Sequence, residues 1–549
     1  MSIATVVLFT VPLLPVCLAV GVHLSATARA AAPWAPLSGL VLVPLAGETV
    51  TLPWLLLEAR VGLTDTFLPL LLLATVAWTI AGWHARRTLA ETEQGRFWFF
   101  WLVTWCGNLC VFLTRDAASF YAAYAMMTFA AWGLIVHQRR PADFHAGRVY
   151  IAMALLGESL ILGGLFILGA EFGNMALDDT ARHMAASAHG NLAVWLFTAG
   201  FGVKMGLAGL HMWLPLAHPQ APVPASAVLS GVILKAGLAG WLVFLPLGVE
   251  GHALVGTVLA GAGMFTALYG VVAGIGQARA KTVLAYSSLS QMGLVTIPVG
   301  LGLAYPEHAA ILTTVAVLFA VHHGLAKTAL FLGVDVVARA PAIGRTLLWL
   351  PAASLAGLPL TSGAVAKVTL KAELPAAAAT WLQPLLLVSS LATTLLLARF
   401  LWLAWPREPG HGPVSLALPW SLLIALGVVL PWLLAGAADG GWLQRPFAAS
   451  YLLETLLPVV AGSAAALIAV RRWRHVRLPR IPEGDIIALL QYLPATVRLP
   501  TKPFAAEALP RWPGPPLLGT VEGAMRIAAI AFTVWLTALA LLFALAAMG

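Results

Sequence analysis

The chain has 549 residues, 60% of them hydrophobic and 10% charged, with a mean hydropathy of +0.90 and a formal net charge of +9. This composition excludes an ordinary soluble domain and fits a polytopic helical membrane protein. In lipid every backbone polar group must be satisfied internally, so long apolar runs without strand-like alternation read as helices and not as barrel strands.

Windows of about 20 apolar residues predict spans near 4–24, 33–47, 65–84, 97–113, 118–137, 149–171, 190–208, 222–246, 252–275, 281–304, 308–336, 346–372, 381–405, 415–435, 450–470 and 525–547. The fold class is therefore all-α and polytopic, with about 14–16 transmembrane helices, the segment 33–47 being the short one. The first segment lacks a basic stretch ahead of its apolar run and is expected to stay as a helix, not to be cleaved as a signal.

Alternating sides from an external N-terminus gathers Arg86, Arg87, Arg96, Arg139, Arg140, Arg148, Arg279, Lys281, Arg339, Arg345, Arg407 and the basic run 471–480 on one side. The opposite loops hold only Arg60, Arg115, Arg182 and Arg445. The positive-inside rule makes the arginine-rich side cytoplasmic, in a bacterial-type inner membrane. The net charge is thus topological and implies no nucleic-acid partner. Residues 471–524 form the one long polar excursion, basic and then proline-rich; 483–492 could make a short amphipathic helix. The basic run suits anionic lipid headgroups, with a protein dock as the alternative.

Lysine is used differently from arginine. There are 24 arginines and only seven lysines, of which Lys204, Lys235, Lys327, Lys367 and Lys371 fall inside or at the ends of apolar segments. Arginine is always charged, whereas a lysine taken out of water can exchange its proton. Glu158 lies mid-span in MALLGESLILGG, and His323 and Lys327 in HHGLAK are four apart on one helix face. Between Lys204 and Lys235 runs a bend with Pro215, Pro219, Pro222 and Pro224 and two histidines, His211 and His218. Pro359 and Gly363 interrupt a second span before Lys367. Broken backbone at membrane depth is tolerated where it is buried or lines a wet cavity, and such breaks mark transport sites. His211 and His218 either relay protons or donate to carbonyls freed by the bend. Lys371 and Glu454 read as side chains reaching the external surface.

Cys17, Cys106 and Cys110 all lie in apolar segments and read as small core residues. Two thiols on one face make a poor metal site. No Gly-rich phosphate loop or paired-cysteine motif is present, so no metal, cofactor or catalytic site of its own is expected.

Spans 97–246 and 252–405 are each five helices long, and an odd number inverts the second unit relative to the first. The expected organisation is N-terminal helices 1–96, a first five-helix repeat 97–246, a second, inverted repeat 252–405, and C-terminal helices 406–549.

The stretch Lys204, His211, Trp213-Leu-Pro215, Ala217-His218, Ala221-Pro222, Ser226 and Lys235, followed in order by KTVLAYSSLSQMG (281–293), HHGLAKTALF (322–331) and GLPLTSGAVAK (357–367), resembles a known family. It is that of the antiporter-like membrane subunits of respiratory complex I, membrane-bound hydrogenases and multisubunit sodium/proton antiporters. The resemblance implies a subunit that moves protons along a buried axis of lysine, histidine, glutamate and water. By position it assigns this axis to Lys204, Lys235, His323, Lys327 and Lys367. It also implies a glutamate on the helix 118–137 as partner of Lys204, but Ala125 stands at that position. Either Glu158, one helix on, takes over that pairing, or the first half-channel is altered and couples something else.

The resemblance further implies partners: other membrane subunits and a peripheral driver or enzyme subunit, to which any redox chemistry belongs. Three alternatives to proton pumping stand beside it: sodium/proton exchange; coupling of proton motive force to an attached enzyme, such as one serving inorganic carbon uptake; and direct quinone chemistry, for which no site is readable in the sequence.

Overall fold

A computed structural model describes residues 2–405, 416–438, 441–472, 481–484 and 486. Twelve of its helices are long and apolar enough to cross a membrane. In chain order the helical elements are α1 (Ile3–Leu24), α2 (Leu68–Thr88), α3 (Glu91–Leu113), α4 (Ala117–Ile135), α5 (Pro141–Phe172), α6 (Gly190–Met205) and α7 (Leu214–Gln220). They continue with α8 (Val223–Phe244), α9 (Ala253–Ile275), α10 (Ala280–Ala304), α11 (Ala309–Arg339), α12 (Trp349–Ala356) and α13 (Ser362–Ala372). The last are α14 (Ala376–Ala404), α15 (Ala417–Ala437) and α16 (Ala449–Arg472). The predicted span 525–547 and most of the amphipathic stretch 483–492 lie outside the described residues.

Three predicted spans fall outside the twelve long helices. The short one is a 3₁₀ helix, Ala32–Leu45, carrying Pro33, Pro36 and Pro44. Proline removes backbone donors and disfavours a regular α-helix. At about 2.0 Å rise per residue, its 14 residues reach about 28 Å, close to the roughly 30 Å hydrocarbon core. An α-helix of that length would fall short at about 21 Å. One face packs on α2: a Cβ at Gly39 would lie 2.5 Å from Thr75 Oγ1, and one at Gly82 would meet the Pro33 backbone at 3.1 Å.

The other two, 190–208 and 346–372, are interrupted helices. α6 ends at Gly206 (φ 77°) and α12 at Gly357 (φ 93°), both left-handed. Each glycine N–H bonds the carbonyls three and four residues back, and the following leucine N–H bonds the carbonyl five back. A side chain at this φ would be strained, which is why glycine closes both half-helices.

Loop contacts sort the two faces of the bundle. On one, the hairpin Thr49–Leu52/Ala59–Gly62 pairs through Val61 with Thr114, Asp116 bridges to Ala176, and the Arg60 N–H donates to Asp116 Oδ2 at 2.8 Å. On the other, Arg96 donates to the His137 carbonyl, Arg140 to Gln220, and His84 meets Asp335 at 2.8 Å. This second face carries the arginine-rich loops, and residues 481–484 dock there, with Gln277 donating to the Ile481 carbonyl and Arg279 paired with Glu483.

The centre of the bundle is α8, α10 and α11, while α1 and α16 lie at the edge and expose most of their apolar surface. Glycines set the tightest contact. Gly256, Gly263 and Gly270 on α9 repeat every seven residues and face Gly293 and Gly300 on α10; a Cβ at Gly293 would lie 2.4 Å from the Gly263 carbonyl. Small residues at this spacing let two helix backbones touch, the usual basis of helix association in lipid.

Candidate functional site

Lys204 lies in the last turn of α6, just before the Gly206 turn. Its Nζ donates to Thr128 Oγ1 on α4 at 2.8 Å and stands 5.3 Å and 5.7 Å from the ring centroids of Tyr124 and Tyr150. Tyr150 Oη also donates to the Thr128 carbonyl at 2.7 Å, tying α5 to α4 at this level. Glu158 is 3% exposed and lines the same small cavity as Lys204, Thr128, Tyr124, Tyr150 and Trp213. The hydroxyls of Thr128 and Tyr121 lie beside it, and neither carboxylate oxygen has a hydrogen-bond partner among the described residues. Gly157 makes the approach possible: a Cβ there would meet the Gly200 carbonyl at 3.1 Å.

Lys235 follows a π turn, Leu229–Ile233, inside α8. Such turns leave carbonyls free for other partners. Here Ser230 O accepts from Lys235 Nζ at 3.1 Å, and the same Nζ meets His323 Nδ1 at 2.7 Å. The π turn is seated on α11 through Gly231, where a Cβ would lie 2.1 Å from Thr328 Oγ1. Lys327 Nζ donates to Leu284 O on α10 at 2.9 Å. Ser230 Oγ and Ser288 Oγ join α8 to α10 at 2.6 Å.

Sequence spacing pairs His323 with Lys327 on one face. In the structure its bond goes across helices, to Lys235. His322, which spacing alone sets aside, reaches Ser362 Oγ at 2.9 Å, and Ser362 meets Ser354 Oγ at 3.0 Å. His322 therefore joins the central helix α11 to the second broken helix. Lys367 Nζ donates to Ala356 O, the last residue of α12, at 2.7 Å. That carbonyl is at the negative end of a half-helix, which favours a cation. A Cβ at Gly357 would lie 2.9 Å from Lys367 Cδ, so this glycine also makes room for the lysine.

The two bend histidines differ. His211 Nδ1 accepts from the Gly209 N–H at 3.2 Å and packs edge-on against Tyr269 at 5.2 Å, which serves the shape of the bend. His218 is fully buried between the Trp213 and Phe331 rings, and neither ring nitrogen has a partner among the described residues. Ser287, Ser290, Gln291 Oε1 and Ser389 likewise lack protein partners in the same interior. Cys106 Sγ lies 3.2 Å from the Pro12 carbonyl, a packing contact between α3 and α1.

Thr128, His322, Ser362 and the π turn were not singled out from sequence. The π turn leaves no compositional trace. The hydroxyls and His322 become meaningful only when helices distant in sequence are brought together.

Two discontinuous helices, ionisable side chains on the central helices between them, and polar atoms with neutral partners define an antiporter-like helical membrane protein. The family described as NADH:quinone oxidoreductase/Mrp antiporter, TM, matches residues 114–396, more than half of the chain. The chain belongs to this family.

It is 30% identical over 279 residues to Hydrogenase-4 component B of Escherichia coli (strain K12), covering 47% of this chain and 41% of that protein. It is 32% identical over 271 residues to NAD(P)H-quinone oxidoreductase chain 4 1 of Synechococcus sp. (strain JA-3-3Ab), covering 48% and 49%. The match thus spans less than half the length of these relatives. The fold is shared with a chain of the Mrp complex from Dietzia sp. DQ12-45-1b, at TM-score 0.73 and 20% identity, over 89% of this chain and 59% of that one. It is shared also with a chain of the membrane-bound sulfane sulfur reductase, an archaeal respiratory membrane complex, at TM-score 0.68 and 21% identity, over 96% and 91%.

Proposed function

We propose that this chain is a proton-conducting membrane subunit of a multisubunit energy-coupling complex, with Glu158, Lys204, Lys235, His323, Lys327 and Lys367 as its pathway. One observation carries the reading. The four buried lysines are held by Thr128 Oγ1, by Ser230 O with His323, by Leu284 O and by Ala356 O, and none forms an ion pair among the described residues. A lysine kept for structure in lipid is paired with an acid, because an uncompensated charge there is costly. A lysine held only by neutral atoms can take up and release a proton at modest cost.

Charge then moves by repulsion. Two like charges 4 Å apart repel by about 4 kcal/mol at an effective dielectric of 20, and the repulsion falls off inversely with distance, so a proton arriving at one lysine favours release from its neighbour. Water links the sites, since buried polar atoms without protein partners, such as those of His218, Ser290 and Gln291, require it. The matched glycine turns at Gly206 and Gly357 support two inverted five-helix units, 97–246 and 252–405. We place the chain in a bacterial-type inner membrane with its N-terminus outside and the arginine-rich face in the cytoplasm. The energy comes from a peripheral redox or enzyme subunit.

The test is proton flux into proteoliposomes. Alanine at both Lys204 and Lys235 is expected to lower flux at least tenfold, and Glu158→Gln to do the same. Wild-type flux in the double variant refutes the pathway. Flux that rises with added sodium points to sodium/proton exchange instead, and co-purification from native membranes identifies the driver.

A further inference from the structure

Resting on that reading, we infer that Thr128 links Glu158 to Lys204, its hydroxyl passing the proton between them. Three observations converge on it. First, Thr128 Oγ1 is the one hydrogen-bond partner of Lys204 Nζ among the described residues, at 2.8 Å, and Thr128 is fully buried. Second, its own proton is unengaged. Thr104, Thr296, Thr328 and Thr369, buried on helices, donate to the carbonyl four residues back, whereas Thr75 and Thr198 have no partner among the described residues. Thr128 makes no such bond among the described residues: its hydroxyl accepts from Lys204, which leaves the O–H to turn within the cavity it shares with Glu158.

Third, Glu158 is the complementary group, a buried carboxylate with no donor to either oxygen among the described residues. The cavity between them has a volume of about 10 Å³. A single water needs roughly 10–15 Å³, so a chain of waters does not fit and the link must be short. A hydroxyl meets that need because it is both acceptor and donor.

The step balances without a further reactant. Lys204 Nζ–H gives its proton to Thr128 Oγ1 while the hydroxyl's own proton passes to a Glu158 oxygen, directly or through one water. The ammonium becomes an amine, the carboxylate becomes a carboxylic acid, and the hydroxyl keeps one proton. Rotation about the Cβ–Oγ bond resets it. The α4 hydroxyl thus serves a lysine whose carboxylate sits on α5, with Ala125 one turn earlier on α4 contributing nothing polar.

The experiment measures proton flux in proteoliposomes of the full chain, with any membrane subunits that co-purify. Thr128→Val, which keeps shape and loses the hydroxyl, is expected to cut flux at least tenfold, while Thr128→Ser restores it to within about twofold of wild type. Should Thr128→Val not assemble, Thr128→Ala against Thr128→Ser makes the same comparison. Wild-type flux in the valine or alanine variant overturns the inference. So does equal loss in the serine variant, which would mean that shape and not the hydroxyl matters. Glu158→Gln and Lys204→Ala separate the two levels: normal flux in both sinks the pathway itself, whereas loss in both beside a normal Thr128→Val removes only the role of Thr128.

Discussion

His137, in the turn between α4 and α5, is 1% exposed and neither of its ring nitrogens has a partner among the described residues. Burial, with the Arg96 and Arg139 guanidiniums beside it and only Asp143 opposing, holds its imidazole down to about 4 from the ordinary 6.5. The unfolded chain therefore takes up a proton that the folded chain refuses between those values, and stability falls as pH drops through that window. The loss totals on the order of 3 kcal/mol by the lower end. Melting midpoints of wild type and His137→Gln between pH 7 and pH 4.5 check this: the wild-type midpoint should fall with acid, and the variant should lose that part of the slope. At the same scale, the buried lysines differ from the arginines in what holds them. Arg115, Arg140 and Arg445 pair with Asp178, Asp143 and Glu373 near the faces of the bundle. Among the described residues, the hydrogen bonds of Lys204, Lys235, Lys327 and Lys367 go to neutral oxygens and one imidazole.

The broken helices are the elements on which the proposed pathway depends. α12 and α13 are held at a close backbone approach, with Gly363 so near Ser354 that a Cβ would lie 1.7 Å from the Ser354 carbonyl. Across that contact Ser362 and Lys367 of α13 reach Ser354 Oγ and Ala356 O of α12, and His322 of α11 bonds Ser362. Gly363→Ala is expected to push the half-helices apart at a cost of at least 1–3 kcal/mol. It should lower proton flux although no ionisable group is changed. Gly169→Ala is the control, because nothing lies within 4 Å of a Cβ there. Equal flux and melting midpoint for the two variants would show that the approach is not needed. The π turn before Lys235 plays the corresponding part in α8, since the widened backbone presents Ser230 O to Lys235 while Gly231 fits against Thr328.

Across the whole molecule, fifteen described segments alternate between two faces, counting the 3₁₀ helix and both broken helices as crossings. Sidedness is testable with single cysteines on a background in which Cys17, Cys106 and Cys110 are serine. Glu91 and Glu250 are exposed and lie on opposite faces. A cysteine at Glu91 should react with an impermeant maleimide only when the cytoplasmic side is open, and one at Glu250 only from outside. The reverse labelling would invert the orientation, and with it the assignment of the arginine-rich face. The edge helices α1, α5, α15 and α16 carry the exposed apolar surface that lipid or neighbouring subunits cover.

Much of this was legible in the order of residues alone, because membrane insertion is governed by local composition. Apolar runs of sufficient length become helices, arginines collect on one side, and proline with glycine breaks the two helices that then carry Lys204 and Lys367. The buried lysines, Glu158 and His323 stand out for the same reason: ionisable groups are costly in lipid wherever they occur. What only the tertiary structure decided is who meets whom. Spacing on one helix pairs His323 with Lys327, yet helix packing gives it to Lys235 across 88 residues of chain. Thr128 and Lys204, 76 residues apart, share a hydrogen bond because glycines let α5 and α6 pack closely beside α4. Side-chain partnership depends on crossing angles and close approaches, set by shapes on both helices at once, and no window along a single segment contains that information. The 3₁₀ crossing is the intermediate case. Its prolines are visible in sequence, but that 14 residues suffice to cross follows only from the rise per residue that the folded backbone adopts.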